Sequence, residues 1–232
     1  MLTRRTFLAT GAAATLAACA QPEQFQPVAQ SPNFREATPK LPDFYGPVDD
    51  KFPIPAVPEG VVPQRLWRQV VANPFPEYEK GTLVVDPDAG YLHLIQDDGN
   101  ALRYGAGTGA AGREWDGGAV VQFTRSWPRW NPPDELIARN PKWAPYSIAN
   151  GGMDGGPGNP LGARALYLFQ NGVDTLYRIH GGCEPEYLGK AVSSGCIRLL
   201  DQDAIDLEKR VTSKARVVVL PSYKTGIDVP VY

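Results

Sequence analysis

Only two histidines and three cysteines occur in 232 residues, so a site that needs both types has very few ways to form. A zinc centre asks for about four ligands at short spacing, and His93 and His180, with no acidic cluster beside them, do not supply it. Long runs of one charge are missing as well. The 23 basic and 25 acidic residues are interspersed and leave a formal net charge of -2, which excludes the basic stretch that neutralises phosphates and with it nucleic acid as a partner. No apolar run reaches the ~20 residues that cross a bilayer. Gly105-x-Gly107-x-Gly109 is no nucleotide loop, because the residues after it do not read as a helix. Strand-like apolar runs outnumber helical ones among 24 glycines and 23 prolines. The chain therefore reads as one mostly β domain, sandwich-like with one or two short helices, because its length leaves no comfortable room for two cores.

The first residues carry an address. Thr3-Arg4-Arg5-Thr6-Phe7-Leu8 places an arginine pair ahead of a short apolar stretch ending in Leu16-Ala17-Ala18-Cys19, which resembles a twin-arginine export signal joined to a lipobox. Two outcomes stay open: cleavage before Cys19 with lipidation of that residue, or ordinary small-residue cleavage around Ala18-Cys19-Ala20. Both put the mature protein in the periplasm. Ala20 in place of Asp leans toward an outer-membrane anchor if lipidation occurs, by analogy with Gram-negative sorting.

Residues 1–20 are thus read as a signal, 21–63 as a Pro-rich tether, 64–224 as the catalytic domain and 225–232 as a tail. The tether holds ten prolines and little apolar periodicity, too little to offset the entropy of ordering, although Phe44 to Val62 has apolar residues that could lie extended along the domain. A short helix is expected at Gln64 to Val71, with Trp67 docking. Strands are expected at Thr82 to Asp86, Tyr91 to Gln96, Ala101 to Gly105, Ala119 to Thr124, Leu166 to Phe169, Thr175 to Ile179 and Arg216 to Leu220. Between them, Asp97-Asp98-Gly99-Asn100 and Asn171-Gly172 are hairpin turns. The stretch from Ser126 to Gly162, rich in Trp, Pro and Gly, reads as a long functional loop. Asp201 is expected to cap a helix carrying Ala204, Leu207 and Val211.

The chemistry concentrates at two element ends. His180 closes a strand before Gly181-Gly182, and Cys196 lies in Ser193-Ser194-Gly195-Cys196-Ile197-Arg198-Leu199 just ahead of the helix. An imidazole and a basic neighbour such as Arg198 lower the pKa of a thiol and make it a nucleophile. Gly195 allows close backbone approach, and the amides around Gly195 and Cys196 suit an oxyanion hole.

His180-Gly181-Gly182, then Ser193-x-Gly195-Cys196-Ile197-Arg198-Leu199, resembles the L,D-transpeptidase (YkuD-domain) family over roughly Gly81 to Pro221. Asn159-Pro160-Leu161-Gly162 also resembles a stretch of its Gram-negative members. The resemblance implies a mostly β fold with the cysteine at a cleft mouth and no cofactor. It implies that Cys196 attacks the carbonyl of the third residue of a peptidoglycan stem peptide, with His180 as general base and acid. It implies that the Gly181 carbonyl orients the imidazole, that Ser193 and Gly195 shape the cysteine loop, and that Arg198, Ser194 and Tyr146 bind substrate. The acyl acceptor stays open among a second stem peptide, an outer-membrane protein and water; a wall-binding protein without turnover is the rival of another class. Ser194 stands where many members carry a second histidine, which strengthens His180 as base. Cys183 stands where Asn or Asp is common.

Cys183 admits a structural disulfide with Cys196, a reversible one, or packing as a small apolar side chain, and packing is preferred. His93, mid-strand in Tyr91-Leu92-His93-Leu94, reads as structural. Trp115 and Trp127 read as pins for their loops, while Trp143 joins Tyr146 as a weaker lid residue.

Overall fold

A computed structural model describes residues 39–109, 117–193 and 195–222. The expectations placed on residues 1–20, on Cys19, Trp115 and Ser194, and on the tail 225–232 fall outside these described residues. Those described form a mostly β domain with few helices.

The strands are β1 (Gln69–Ala72), β2 (Leu83–Asp86), β3 (Tyr91–Ile95), β4 (Asn100–Gly105), β5 (Thr108–Gly109), β6 (Gly117–Ser126), β7 (Arg164–Gln170), β8 (Val173–His180), β9 (Ala191–Ser193), β10 (Ile197–Arg198) and β11 (Arg216–Val219). Nine of them join in one continuous sheet, in the order β1-β4-β3-β2-β11-β6-β7-β8-β10, and β5 pairs with β9 apart from it. The last strand, β11, is inserted at the centre. It runs parallel to β2 and antiparallel to β6, so the C-terminal strand joins the N-terminal hairpins to the half that carries His180. Register shifts between Val121 and Phe123 and between Tyr167 and Phe169 mark bulges, which bend and twist a strand. One apolar cluster accordingly collects Leu83 and Val85, Leu92 and Leu94, Leu166 and Leu168, Ile179 and Ile197 from both ends of the sheet.

The period-2 rule explains which side chains enter that core. Leu83 and Val85 face it, while Val84 turns to the opposite face, where it meets Ile95 and Ala101. The helix α2 (Asp201–Arg210) lays Ala204 and Leu207 on the main core. Its other side is covered as well: Gln202 and Asp203 are buried.

What covers them is the segment assigned above to a tether. From residue 39 onward it is packed onto the domain, not loose. Tyr45, Val57, Val62 and Leu66 are buried with Leu188, Leu200 and Cys183, and Gln202 donates from Nε2 to the Pro55 carbonyl at 2.9 Å. Each apolar side chain so buried contributes roughly 1.5–3 kcal/mol. The extended docking expected of Phe44 to Val62 is what the packing shows, and its depth has no periodicity to announce it because burial falls at irregular intervals along a proline-rich chain. The helix expected at Gln64 to Val71 is a 3-10 turn at Gln64–Leu66, with β1 beginning two residues beyond it. Trp67 docks through an indole hydrogen bond to the Val62 carbonyl.

The long excursion after β6 is not structureless. It contains α1 (Asp134–Arg139) and two 3-10 turns, Pro141–Tyr146 and Ile148–Asn150. Trp130 and Met153 exchange backbone hydrogen bonds of 2.9 and 2.8 Å near its neck. Asn159, buried at the base, donates from Nδ2 to the carbonyls of Pro128, Asp154 and Met153 and accepts the Leu161 amide.

Candidate active site

The site is built on the far end of the sheet. β10 pairs in parallel with β8, Ile197 opposite Ile179 and Arg198 opposite His180. Paired residues share a face and alternate residues along a strand share a face. Ile179 and Ile197 point into the core, so the other face carries Arg178 and His180 from β8 beside Arg198 and the adjoining Cys196. The pairing is reinforced at its end, where the Leu199 amide donates to the His180 carbonyl at 2.7 Å. On its other side β10 is clamped by Gly107, which exchanges two backbone hydrogen bonds with Arg198 (2.8 and 2.7 Å). A sixteen-residue separation in the chain thus becomes a neighbour relation between two strands.

His180 is buried, and its Nδ1 lies 2.7 Å from the Gly181 carbonyl oxygen. A carbonyl can only accept, so Nδ1 carries the proton and the lone pair sits on Nε2. Burial, followed by the charge of Arg198, pulls the imidazole down to about 3, against the opposing pull of the Gly181 carbonyl. Cys196 is half-buried. Burial pushes its thiol up, while a hydrogen bond from the Arg178 backbone amide and the charges of Arg178 and Arg198 pull it down without prevailing. The lowered thiol expected from the sequence is therefore reversed in sign. Desolvation disfavours both ions, and the pair rests as neutral thiol and neutral imidazole.

Gly195 adopts φ +137°, a region open essentially to glycine, so the turn into the cysteine is specified by that residue. Ser193 ends β9, and its backbone pairs with Gly109. Arg198 is partly buried, and its Nε is buried without a hydrogen-bond partner. Tyr146 is held in the excursion against Trp143, ring centroids 6.3 Å apart, with Trp143 edge-on to Trp130 at 4.9 Å. It is not joined to the Cys196 strand by pairing or hydrogen bond among the described residues.

Two residues beside the site escape sequence reasoning. Arg178 stands on the same face as the cysteine and is fixed there by Asp174, through hydrogen bonds of 2.7 and 2.8 Å, and by the Tyr167 ring beneath its guanidinium at 4.1 Å. Strand alternation placed it, but nothing marked it as more than a surface arginine. Asp201 does not cap α2, whose N-terminal residue makes no side-chain cap. Its Oδ1 instead accepts the Ala163 and Gly182 amides at 2.7 and 3.0 Å.

No disulfide joins Cys183 to Cys196 among the described residues. Cys183 packs with Tyr45, Leu188 and Leu200, and burial pushes its thiol up to about 12, so it behaves as an apolar filler. His93 is buried against Phe75 and Tyr91 and is pulled down to about 4, chiefly by burial.

Thiol, imidazole and two arginines thus come together at one end of a mixed sheet whose last strand lies at its centre. A family model described as the L,D-transpeptidase catalytic domain matches residues 80–219, and the chain belongs to that family. A probable L,D-transpeptidase ErfK/SrfK of Escherichia coli is 30% identical over 148 residues, 62% of this chain and 46% of that protein. A putative L,D-transpeptidase YkuD of Bacillus subtilis is 43% identical over 63 residues, 27% of this chain and 36% of that protein. Among solved structures, one described as a probable carnitine operon oxidoreductase from Brucella melitensis is 43% identical, covers 68% of this chain and 96% of its own, and superposes with a TM-score of 0.47. This chain spans 36–46% of the length of five curated relatives that it matches.

Proposed function

We propose that the chain is an L,D-transpeptidase that acts on peptidoglycan stem peptides through a thioester on Cys196. The observation that supports the reading is the β8–β10 pairing, with Arg198 opposite His180 and Cys196 directly preceding β10. His180 Nε2 takes the thiol proton as sulfur bonds to the carbonyl carbon of the third stem residue. The negative charge on the carbonyl oxygen is met by amides around Gly195 and Cys196. The bond to the terminal D-alanine then breaks, and the proton on Nε2 leaves with its amine. An acceptor amine attacks the thioester and gives its proton to His180, and sulfur departs to be reprotonated. Because the pair is neutral at rest, proton transfer and attack are coupled, which keeps the thiol quiet until a carbonyl arrives. The unpaired Nε of Arg198 supports a role in holding the substrate carboxylate, for which a guanidinium fork is well shaped.

The acceptor distinguishes three outcomes: a second stem peptide gives a 3-3 cross-link, a protein amine gives wall attachment, and water gives a carboxypeptidase. Cross-linking or attachment in the periplasm, after twin-arginine export and with Cys19 either lipidated or lost with ordinary small-residue cleavage, is the preferred form. Intact-mass spectrometry of the protein with a carbapenem, whose ring acylates an activated cysteine, tests the centre of the proposal. One drug mass on wild type and none on Cys196→Ala is expected. No adduct on wild type, even after reduction, would favour a wall-binding protein without turnover. Muropeptides joined or released by the two proteins identify the acceptor.

A further inference from the structure

Asp201 takes no part in the steps above, yet its carboxylate reaches the support on which His180 rests. The Gly182 N–H and the Gly181 carbonyl are the two ends of one peptide group. Asp201 Oδ1 accepts from the N–H end at 3.0 Å, and the carbonyl end accepts the His180 Nδ1 proton at 2.7 Å. We propose that Asp201 is a positioning residue for His180, acting through this single peptide group. The proposal rests on the reading of His180 as general base.

Three features fit a built arrangement. The same Oδ1 also accepts the Ala163 amide at 2.7 Å, so the carboxylate is held against β7 as well as against the glycine pair. Any Cβ at Gly181 or Gly162 would run into that oxygen, and Gly182 sits at φ +68° with the Pro160 carbonyl 2.8 Å from where a Cβ would stand. The two glycines after the histidine are therefore what lets a carboxylate come close enough to the peptide. Electronically, a carboxylate at the N–H of an amide draws density toward its carbonyl oxygen and strengthens the bond accepted there. That fixes the Nδ1–H tautomer, leaves Nε2 free as the base, and steadies the imidazolium formed during attack. The role an aspartate plays by direct contact in other triads is here relayed through backbone. Asp201 is placed for it because it directly follows the Arg198-Leu199-Leu200 segment, where Leu199 is hydrogen-bonded to His180.

The test uses the whole protein with carbapenem as the acylating probe. Maximal acylation rate and half-saturating concentration are measured for wild type, Asp201→Asn and Asp201→Ala, and the His180 Nδ1–H resonance is followed by NMR. The maximal rate should fall roughly ten- to a hundredfold in Asp201→Ala, the loss expected for one charge-assisted hydrogen bond, and less in Asp201→Asn. Half-saturation should stay unchanged, and the His180 resonance should move in both variants. Wild-type maximal rates in both variants, or an unmoved resonance, would overturn the proposal. Asp201→Asn keeps an acceptor oxygen of the same shape, so it decides the matter if Asp201→Ala does not fold. If wild type takes no adduct, the nucleophile reading fails, and the His180 resonance still decides the role of Asp201.

Discussion

Replacing Tyr45 by Phe removes one oxygen from a fully enclosed place. The hydroxyl donates to Asp203 Oδ2 at 3.0 Å and accepts the Arg68 amide at 2.7 Å, and Tyr45 has no exposed surface. Phe fills the same volume, so the change is in hydrogen bonding alone. It leaves one partly buried backbone donor and one buried carboxylate short of a partner. Each stranded group costs about 1–3 kcal/mol, so the loss should be roughly 2–6 kcal/mol in total. For a domain of this size that is a Tm lower by roughly 5–15 °C. Urea titration and thermal unfolding followed by circular dichroism measure it, with Asp203→Asn and the double variant completing a cycle that isolates the pair. A loss under about 0.5 kcal/mol would refute the claim that residues 39–63 are held to α2 through this hydroxyl.

Other expectations follow from the same coordinates. The acylation rate should show no inflection near pH 6.5, because His180 stays neutral until far lower pH; a step between pH 6 and 7 in the rate profile would contradict its burial. Burial raises Asp203 to about 7, so its contribution to stability is present in acid and is lost as pH rises through that value. Asp203→Asn should flatten this slope in unfolding measured from pH 4 to 8. Gly181→Ala forces Asp201 away from its amides and should slow carbapenem acylation at least tenfold, read by intact mass, while circular dichroism stays native. Asn159→Ala removes the ties at the neck of the excursion and should speed proteolysis within residues 127–158 while leaving the sheet unaltered.

The alternating apolar runs made the core strands readable, since Leu83 to Val85 and Leu166 to Leu168 sort onto their faces by parity alone. The histidine and cysteine were readable because so few of either occur. Three things were hidden for physical reasons. The depth at which the segment from residue 39 buries Tyr45, Ile54, Val57 and Val62 exceeds the surface docking its apolar residues suggested, because burial without regular structure has no period. Arg178 meets Asp174 within one strand near a register shift, a contact that regular strand geometry does not foresee. Asp201 occupies the first residue of a helix, where local capping is the economical expectation, and its real partners, the Ala163 and Gly182 amides, lie 38 and 19 residues earlier. The sign of the Cys196 shift also depended on burial, which outweighs the arginines that the sequence displays.

The parallel pairing of β8 with β10 bears on how such an enzyme could diversify. The proposed nucleophile adjoins β10 and the proposed base ends β8, and these strands are tied by sheet hydrogen bonds, so the crossover between them is not what sets their distance. Glu184 and Glu186 on that crossover are exposed, and extra residues inserted there would project outward while the two reacting groups stay in register. New recognition elements for different acceptors can therefore be grafted beside the chemistry without rebuilding it.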